Sequence, residues 1–218
     1  LEPFRLAFEK VMGLIKDLQS DGHDTRRIDL GGGLGIPYAP DQDNPPSPAD
    51  YGAMIADVVG HQKAQVILEP GRLIAGNAGL LLTKTLFCKK GEGRDFLILD
   101  AAMNDLLRPA MYDAHHEILP VTEAAGSKTQ RYDVVGPVCE TSDIFAKDRE
   151  IPTVKAGDLV AILSAGAYGA VMASSYNTRP LIGEILVKND EFAVIRDRIT
   201  EEALIDMDRT PQWLDNKP

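Results

Sequence analysis

Arg27-Ile28-Asp29-Leu30-Gly31-Gly32-Gly33-Leu34-Gly35 decides how the first third of the chain folds. The first four residues alternate apolar and polar side chains, as a short strand does, and the triple glycine ends it. Glycines at a strand end let backbone amides approach a ligand phosphate, as in other glycine-rich cradles. Taken alone, the stretch is equally a tight turn. It does not open directly into a helix as G-x-G-x-x-G does, because Pro37 and a long loop intervene. Nor is it a Walker loop, since no Lys-Ser/Thr follows.

Working outward, residues 3–22 carry Phe4, Phe8, Val11, Ile15 and Leu18 at three- and four-residue steps, which predicts an amphipathic helix stopping at Asp21-Gly22. Downstream, a Pro- and Asp-rich loop fills 36–48, and Ser47-Pro48 reads as an N-cap with proline in the first turn of a helix reaching Gly60. A second strand over 65–68 ends at Glu69-Pro70-Gly71-Arg72. Such alternation predicts a parallel sheet with covering helices. Two strands cannot complete an α/β domain, so the chain, which starts at Leu1, is expected to begin in the middle of one.

Beyond residue 80 the pattern becomes β-rich. Strands are expected over 80–87, 95–99, 117–121, 131–135, 158–163, 170–176, 181–187 and 191–196, with Asn189-Asp190 as the tight turn of a hairpin. The division predicts an α/β part at 1–79 and an all-β barrel or sandwich at 80–218.

The 218 residues include 33 acidic and 23 basic ones, a net charge of −10, so a nucleic-acid surface with clustered Lys and Arg is not expected. With 44% hydrophobic residues the chain can supply a core. Its apolar runs are too short to span a membrane, and no signal-peptide layout is visible. Two cysteines, Cys88 and Cys139, make no disulfide framework, and they share no metal-ligand spacing with the four histidines. No metal is expected, and a reducing, cytoplasmic setting is.

Several segments carry chemistry. In Glu69-Pro70-Gly71-Arg72 the carboxylate can sit in a barrel mouth, and the arginine can offer a bidentate fork to phosphate or carboxylate. A surface turn with a salt bridge is the simpler alternative, weakened because two such motifs end neighbouring strands. Gly136-Pro-Val-Cys139-Glu140-Thr-Ser-Asp143 places a thiol beside a carboxylate, a possible proton donor next to a cation site. A lone cysteine is more often a small buried hydrophobe. Ser164-Ala-Gly-Ala-Tyr168-Gly169 allows close approach to a ligand, or is a bulge. Arg108 and Tyr112 stand four residues apart, so one helical turn would let them share a carboxylate. His115-His116 is expected on a strand edge or loop and receives no role.

Five ordered blocks resemble the C-terminal half of the diaminopimelate decarboxylases, pyridoxal-phosphate enzymes of the alanine-racemase-like barrel class. They are Asp29-Leu-Gly-Gly-Gly-Leu-Gly-Ile-Pro-Tyr38, Glu69-Pro-Gly-Arg72, Leu107-Arg-Pro-Ala-Met-Tyr112, Gly136-Pro-Val-Cys-Glu-Thr141 and Ala165-Gly-Ala-Tyr-Gly169. The triple glycine and Glu-Pro-Gly-Arg are shared with ornithine and arginine decarboxylases, whereas the blocks at 107–112 and 136–141 favour diaminopimelate.

The resemblance implies the C-terminal part of a pyridoxal-phosphate-binding (β/α)8 barrel, followed by a β-barrel or sandwich domain. It implies that Gly31, Gly32, Gly33, Gly71 and Arg72 hold the phosphate of pyridoxal 5'-phosphate, and that Glu69 faces the pyridine nitrogen. Arg72, Arg108 and Tyr112 would bind substrate carboxylate, Glu140 the distal ammonium, and Tyr168 both cofactor and substrate. Cys139 would be the catalytic proton donor. The working unit would be a homodimer, with Cys139 and Glu140 entering the partner subunit's site. The implied reaction is decarboxylation of meso-2,6-diaminopimelate to L-lysine, the last step of lysine biosynthesis. The family's Schiff-base lysine lies upstream of the triple glycine, before Leu1, so residues 1–218 alone are expected to be inactive and the full protein about twice as long. The alternatives are another basic amino-acid decarboxylase of the ornithine or arginine type, or a non-catalytic regulatory homologue.

Overall fold

Helix α1 (Glu2–Ser20) lays Phe8 and Ile15, two turns apart, into an apolar core, with Phe4 and Val11 packed beside them. The computed structural model describes residues 1–39, 45–122 and 128–215; part of the expected Pro/Asp loop, 40–44, lies outside them. Strand β1 (Arg27–Asp29) follows and buries Ile28. Helix α2 (Pro48–Val59) is capped by the Ser47 hydroxyl, which accepts from the Asp50 amide at 3.1 Å, and its first residue is the expected proline. It buries Tyr51, Met54, Ile55 and Val59, and the Tyr51 ring meets Phe4 edge-on with centroids 5.2 Å apart. Strand β2 (Gln65–Ile67) pairs in parallel with β1, Ile28 opposite Val66, and runs into the short helix α3 (Gly71–Ala75).

The chain divides into two compact units, Leu1–Gly79 and Leu80–Pro218. The second is built on β3 (Leu81–Lys90), β4 (Asp95–Leu99), helix α4 (Arg108–Tyr112), β5 (Ile118–Pro120), β6 (Thr129–Val135), β7 (Ile144–Pro152) and β8 (Leu159–Ile162). These strands form one six-stranded sheet in the order β5-β8-β3-β4-β6-β7, antiparallel except where β4 meets β6. The two edge strands come into contact, so the sheet curls almost closed, and Arg149 of β7 donates to the His116 carbonyl beside β5 at 3.0 Å. Leu97, Leu99, Ile118, Val134, Ile151, Val160 and Ile162 fill the interior. A hairpin of β9 (Glu184–Lys188) and β10 (Glu191–Arg196) turns at Asn189-Asp190, with Asn189 at φ 56°. The helical turns α5 (Glu201–Ile205) and α6 (Gln212–Asp215) close the described chain. Among the described residues no helix is long and apolar enough to cross a membrane.

The α/β part followed by a β-rich part is the expected fold class, with two local corrections. No strand occupies 170–176; single 3-10 turns run over Ala170–Met172 and Tyr176–Thr178 instead. Ser164 at φ 58° and Tyr168 at φ 59° turn the backbone away from the sheet just before this segment, and Val171 is left exposed. Strand β7, conversely, is absent from the expectation. Its run of Lys147-Asp148-Arg149-Glu150 hides the apolar alternation, and Asp148, at φ 47°, bulges the strand while its amide donates to Asp133 at 2.9 Å.

Candidate active site

In the first unit the two motifs that end β1 and β2 meet. The Leu30 amide donates to the Ile67 carbonyl at 3.1 Å, and the Glu69 amide to the Gly31 carbonyl at 2.8 Å. Gly31 sits at φ 68°, a left-handed conformation that favours glycine, and its amide donates to Asp29 at 2.8 Å. Gly32 is required for a different reason. A Cβ there would press into the Glu69 carbonyl oxygen and stand 3.1 Å from its carbon. The Gly71 amide donates to the Glu69 carbonyl at 2.8 Å, opening α3, and Arg72 follows. Gly31, Gly32, Glu69, Gly71 and Arg72 therefore share one strand-end edge. Close backbone turns without Cβ atoms, a guanidinium and a carboxylate are the donor and acceptor set that a phosphorylated pyridine fits.

In the second unit Arg108 opens α4 and is buried, with its Nη1 3.2 Å from Nε2 of His116. Tyr112 ends the same helix and is exposed. The four-residue spacing thus sets both on α4 but sends Arg108 inward and Tyr112 outward.

The segment 136–143 is a loop between β6 and β7, framed by a residue without an assigned role. Asp143 is buried and accepts from the Met103 amide at 2.7 Å and the Val138 amide at 2.8 Å. Burial pushes its carboxyl above the ordinary carboxylate range. A Cβ on Gly136 would lie 2.7 Å from Asp143 Cγ, so only glycine fits beneath that carboxylate. Within this frame Cys139 is a free, exposed thiol. Glu140 accepts from the Ser142 amide at 3.2 Å, from the Thr141 hydroxyl at 3.3 Å and from the Tyr176 hydroxyl at 3.1 Å. Those bonds, the Ser142 amide foremost, hold its carboxyl below the ordinary range, so Glu140 is an anion at neutral pH. The same bond to Glu140 pushes the Tyr176 phenol up.

A buried polar brace stands behind the segment that leads to Arg108. Arg179 Nε donates to Asn104 Oδ1 at 2.9 Å, its Nη2 to the Asp100 carbonyl at 2.6 Å, and Asp105 lies 3.6 Å from Nη2. Asp105 also accepts from the Ala102 amide at 2.9 Å. Tyr168 lies on the turn leaving β8, in the left-handed region and partly exposed. A non-glycine residue held at positive φ carries strain of the kind found at functional sites. Residues that follow Arg108 and residues that follow Glu140 line one groove, among them Pro109, Ala110, His115, Thr141, Ser142 and Arg149.

His116, Asp143 and Tyr176 were not among the sequence candidates. Asp143 had a signal, a carboxylate closing the Gly-Pro loop that holds Cys139 and Glu140. Nothing local marked His116 or Tyr176, whose partners stand 8 and 36 residues away.

Known proteins resemble the chain over nearly its whole length. The diaminopimelate decarboxylase of Zymomonas mobilis is 50% identical over 214 residues, covering 98% of this chain and 50% of that protein. The crystal structure of diaminopimelate decarboxylase from Helicobacter pylori complexed with L-lysine matches with a TM-score of 0.87 at 41% identity, over 94% of this chain and 50% of its own. That of the M. jannaschii enzyme in co-complex with L-lysine matches with a TM-score of 0.92 at 36% identity, over 98% and 50%. The chain spans about half the length of the curated relatives it matches. The family described as pyridoxal-dependent decarboxylase, C-terminal sheet domain, matches residues 19–166, and the chain belongs to that family.

Proposed function

We propose that this chain is the C-terminal half of a diaminopimelate decarboxylase, which removes carbon dioxide from meso-2,6-diaminopimelate with pyridoxal 5'-phosphate and yields L-lysine. One observation carries the choice of substrate. The β-rich unit supplies an oriented cation, Arg108, and an oriented carboxylate, Glu140, kept anionic by its bonds to Ser142 and Tyr176. A distal amino-acid end bears both charges and calls for both partners. The likeness to lysine-bound diaminopimelate decarboxylases supports the same choice.

Gly31, Gly32, Gly33, Gly71 and Arg72 would hold the cofactor phosphate, and Tyr168 would contact cofactor and substrate. When bound, the cofactor supplies the electron sink for the charge left by departing carbon dioxide. Glu69 keeps the pyridine nitrogen protonated by offering it an anion. Arg72, Arg108 and Tyr112 take substrate carboxylate, and Glu140 takes the distal ammonium. After the bond from the α-carbon to its carboxylate has broken and carbon dioxide has left, Cys139 would pass its Sγ proton to that carbon and be left as a thiolate. Cys139 and Glu140 of one subunit complete the site of the other in a homodimer. The free thiols fit a reducing cytoplasm. Without the Schiff-base lysine of the family's upstream half, residues 1–218 alone are inactive.

The test is carbon dioxide release and lysine formation by the polypeptide encoded in the whole reading frame that carries this chain. Meso-diaminopimelate should turn over, while ornithine and arginine should be slower by at least about 100-fold, because Arg108 then lacks its carboxylate. Preference for ornithine or arginine would replace the proposal with a decarboxylase of that type, and no turnover of any would leave a regulatory homologue.

A further inference from the structure

We infer that His116 is a positioning residue for Arg108: a buried imidazole, held as its Nδ1–H tautomer, accepts from the guanidinium and sets the direction in which Arg108 meets substrate. The inference rests on the reading of Arg108 as a substrate-carboxylate anchor.

The tautomer follows from the partners. His116 Nδ1 lies 2.8 Å from the Leu163 carbonyl oxygen, which can only accept, so the proton is on Nδ1. Nε2 lies 3.2 Å from Arg108 Nη1. A guanidinium donates only and keeps its protons, so Nε2 must present its lone pair. One protonation state meets both demands, the neutral ring with hydrogen on Nδ1. The environment favours it. The ring is fully buried, and burial holds its pKa below the ordinary imidazole range against the opposing pull of the Leu163 carbonyl, with the charges of Arg108 and Arg149 acting in the same direction as burial.

The imidazole is itself fixed from several sides. Arg149 of β7 donates to the His116 carbonyl at 3.0 Å and its Nη2 reaches His115 Nδ1 at 3.0 Å. Glu117, next in sequence, accepts the Leu163 amide at 2.8 Å through its carbonyl, and its carboxylate lies 3.7 Å from Arg149. Leu163 in turn immediately precedes Ser164, where the turn bearing Tyr168 leaves the sheet. One ring therefore ties the arginine of α4 to the strand end that presents the tyrosine. A free arginine must surrender rotamer freedom when a carboxylate docks. Here part of that loss is taken on folding, which is preorganisation of the binding group.

The experiment compares His116→Phe, His116→Gln and Arg108→Met in the cofactor-loaded product of the whole reading frame, with meso-diaminopimelate as substrate. Glutamine carries an acceptor to the place of Nε2, and phenylalanine keeps the ring but offers none. His116→Phe should raise KM by roughly tenfold or more while kcat falls much less, and His116→Gln should keep KM within about threefold. In the unsubstituted protein, imidazole nitrogen NMR should show Nδ1 protonated and Nε2 bare, a readout independent of turnover and of whether the phenylalanine variant folds. An Nε2–H ring overturns the inference. So does a folded His116→Phe protein with wild-type KM, or one losing kcat and KM in equal measure with no rescue by glutamine. If Arg108→Met leaves KM unchanged, the functional reading fails and the inference falls with it. If Arg108→Met raises KM and His116→Phe does not, the inference alone is wrong.

Discussion

Replacing Gly32 by alanine tests whether the two strand-end turns are built around a missing side chain. The added Cβ would press into the Glu69 carbonyl oxygen and lie 3.1 Å from the carbonyl carbon, both backbone atoms that cannot rotate aside. The oxygen must retreat by about 1 Å to reach ordinary contact, an overpacking strain of about 1–3 kcal/mol. The strands can absorb little of this, because β1 and β2 pair over only three residues each. The bond from the Glu69 amide to the Gly31 carbonyl, now 2.8 Å, is lost with the shift, about 1 kcal/mol more. Destabilisation of the first unit should therefore reach about 2–4 kcal/mol by urea unfolding. Glu69 and the Gly71 amide move with that carbonyl, so kcat/KM of the complete enzyme should fall by about 100-fold. Gly31→Ala is the matched control. Nothing lies within 4 Å of its Cβ, so only the φ of 68° is penalised, at about 1–2 kcal/mol. If Gly32→Ala unfolds within about 0.5 kcal/mol of the parent, with unchanged titration by pyridoxal 5'-phosphate, the close packing of the two turns has been misread.

Asp143→Ala leaves the half-buried Met103 and Val138 amides without their acceptor, at about 1–3 kcal/mol for each, and urea unfolding at neutral pH should show a loss of at least about 2 kcal/mol. His116 has its pKa lowered in the fold, so its contribution to stability is fully present above the ordinary imidazole value near 6.5 and is lost as pH falls through the folded value. His116→Gln should remove that part of the acid-side slope in melting temperature between pH 7 and 5, whereas an unchanged slope would assign it to other groups. Full-length subunits carrying Cys139→Ala and subunits lacking the Schiff-base lysine should each be nearly dead as homodimers. Mixed, they should regain up to one working site of two, and heterodimers that regain nothing would return Cys139 to its own subunit.

The first unit was legible because each of its signals is local. The Phe8 and Ile15 spacing, the Ser47-Pro48 cap and the two glycine-bearing strand ends all act over a few residues. What the sequence did not show is that Gly32 and Gly31 are needed for different reasons, one for close approach and one for its φ. In the second unit the failures have a common cause. Strand β7 hides behind four consecutive charges because its neighbours, not its composition, pair it, and Arg149 is spent on His115 and the His116 carbonyl. The segment 170–176 has strand-like composition, yet the positive φ of Ser164 and Tyr168 steers it off the sheet. Arg108 was legible as a motif residue, but the ring that holds it lies in a His-His pair whose significance appears only when Leu163 arrives from β8.

A crystal structure of the complete, cofactor-loaded protein with L-lysine bound tests the central claim most directly. The account predicts the phosphate against Gly31–Gly33, Gly71 and Arg72, Glu69 beside the pyridine nitrogen, the lysine carboxylate on Arg108, and Cys139 and Glu140 reaching the ligand from the partner subunit. A phosphate seated away from the Gly31–Gly33 turn, or a lysine carboxylate that leaves Arg108 untouched, would contradict it.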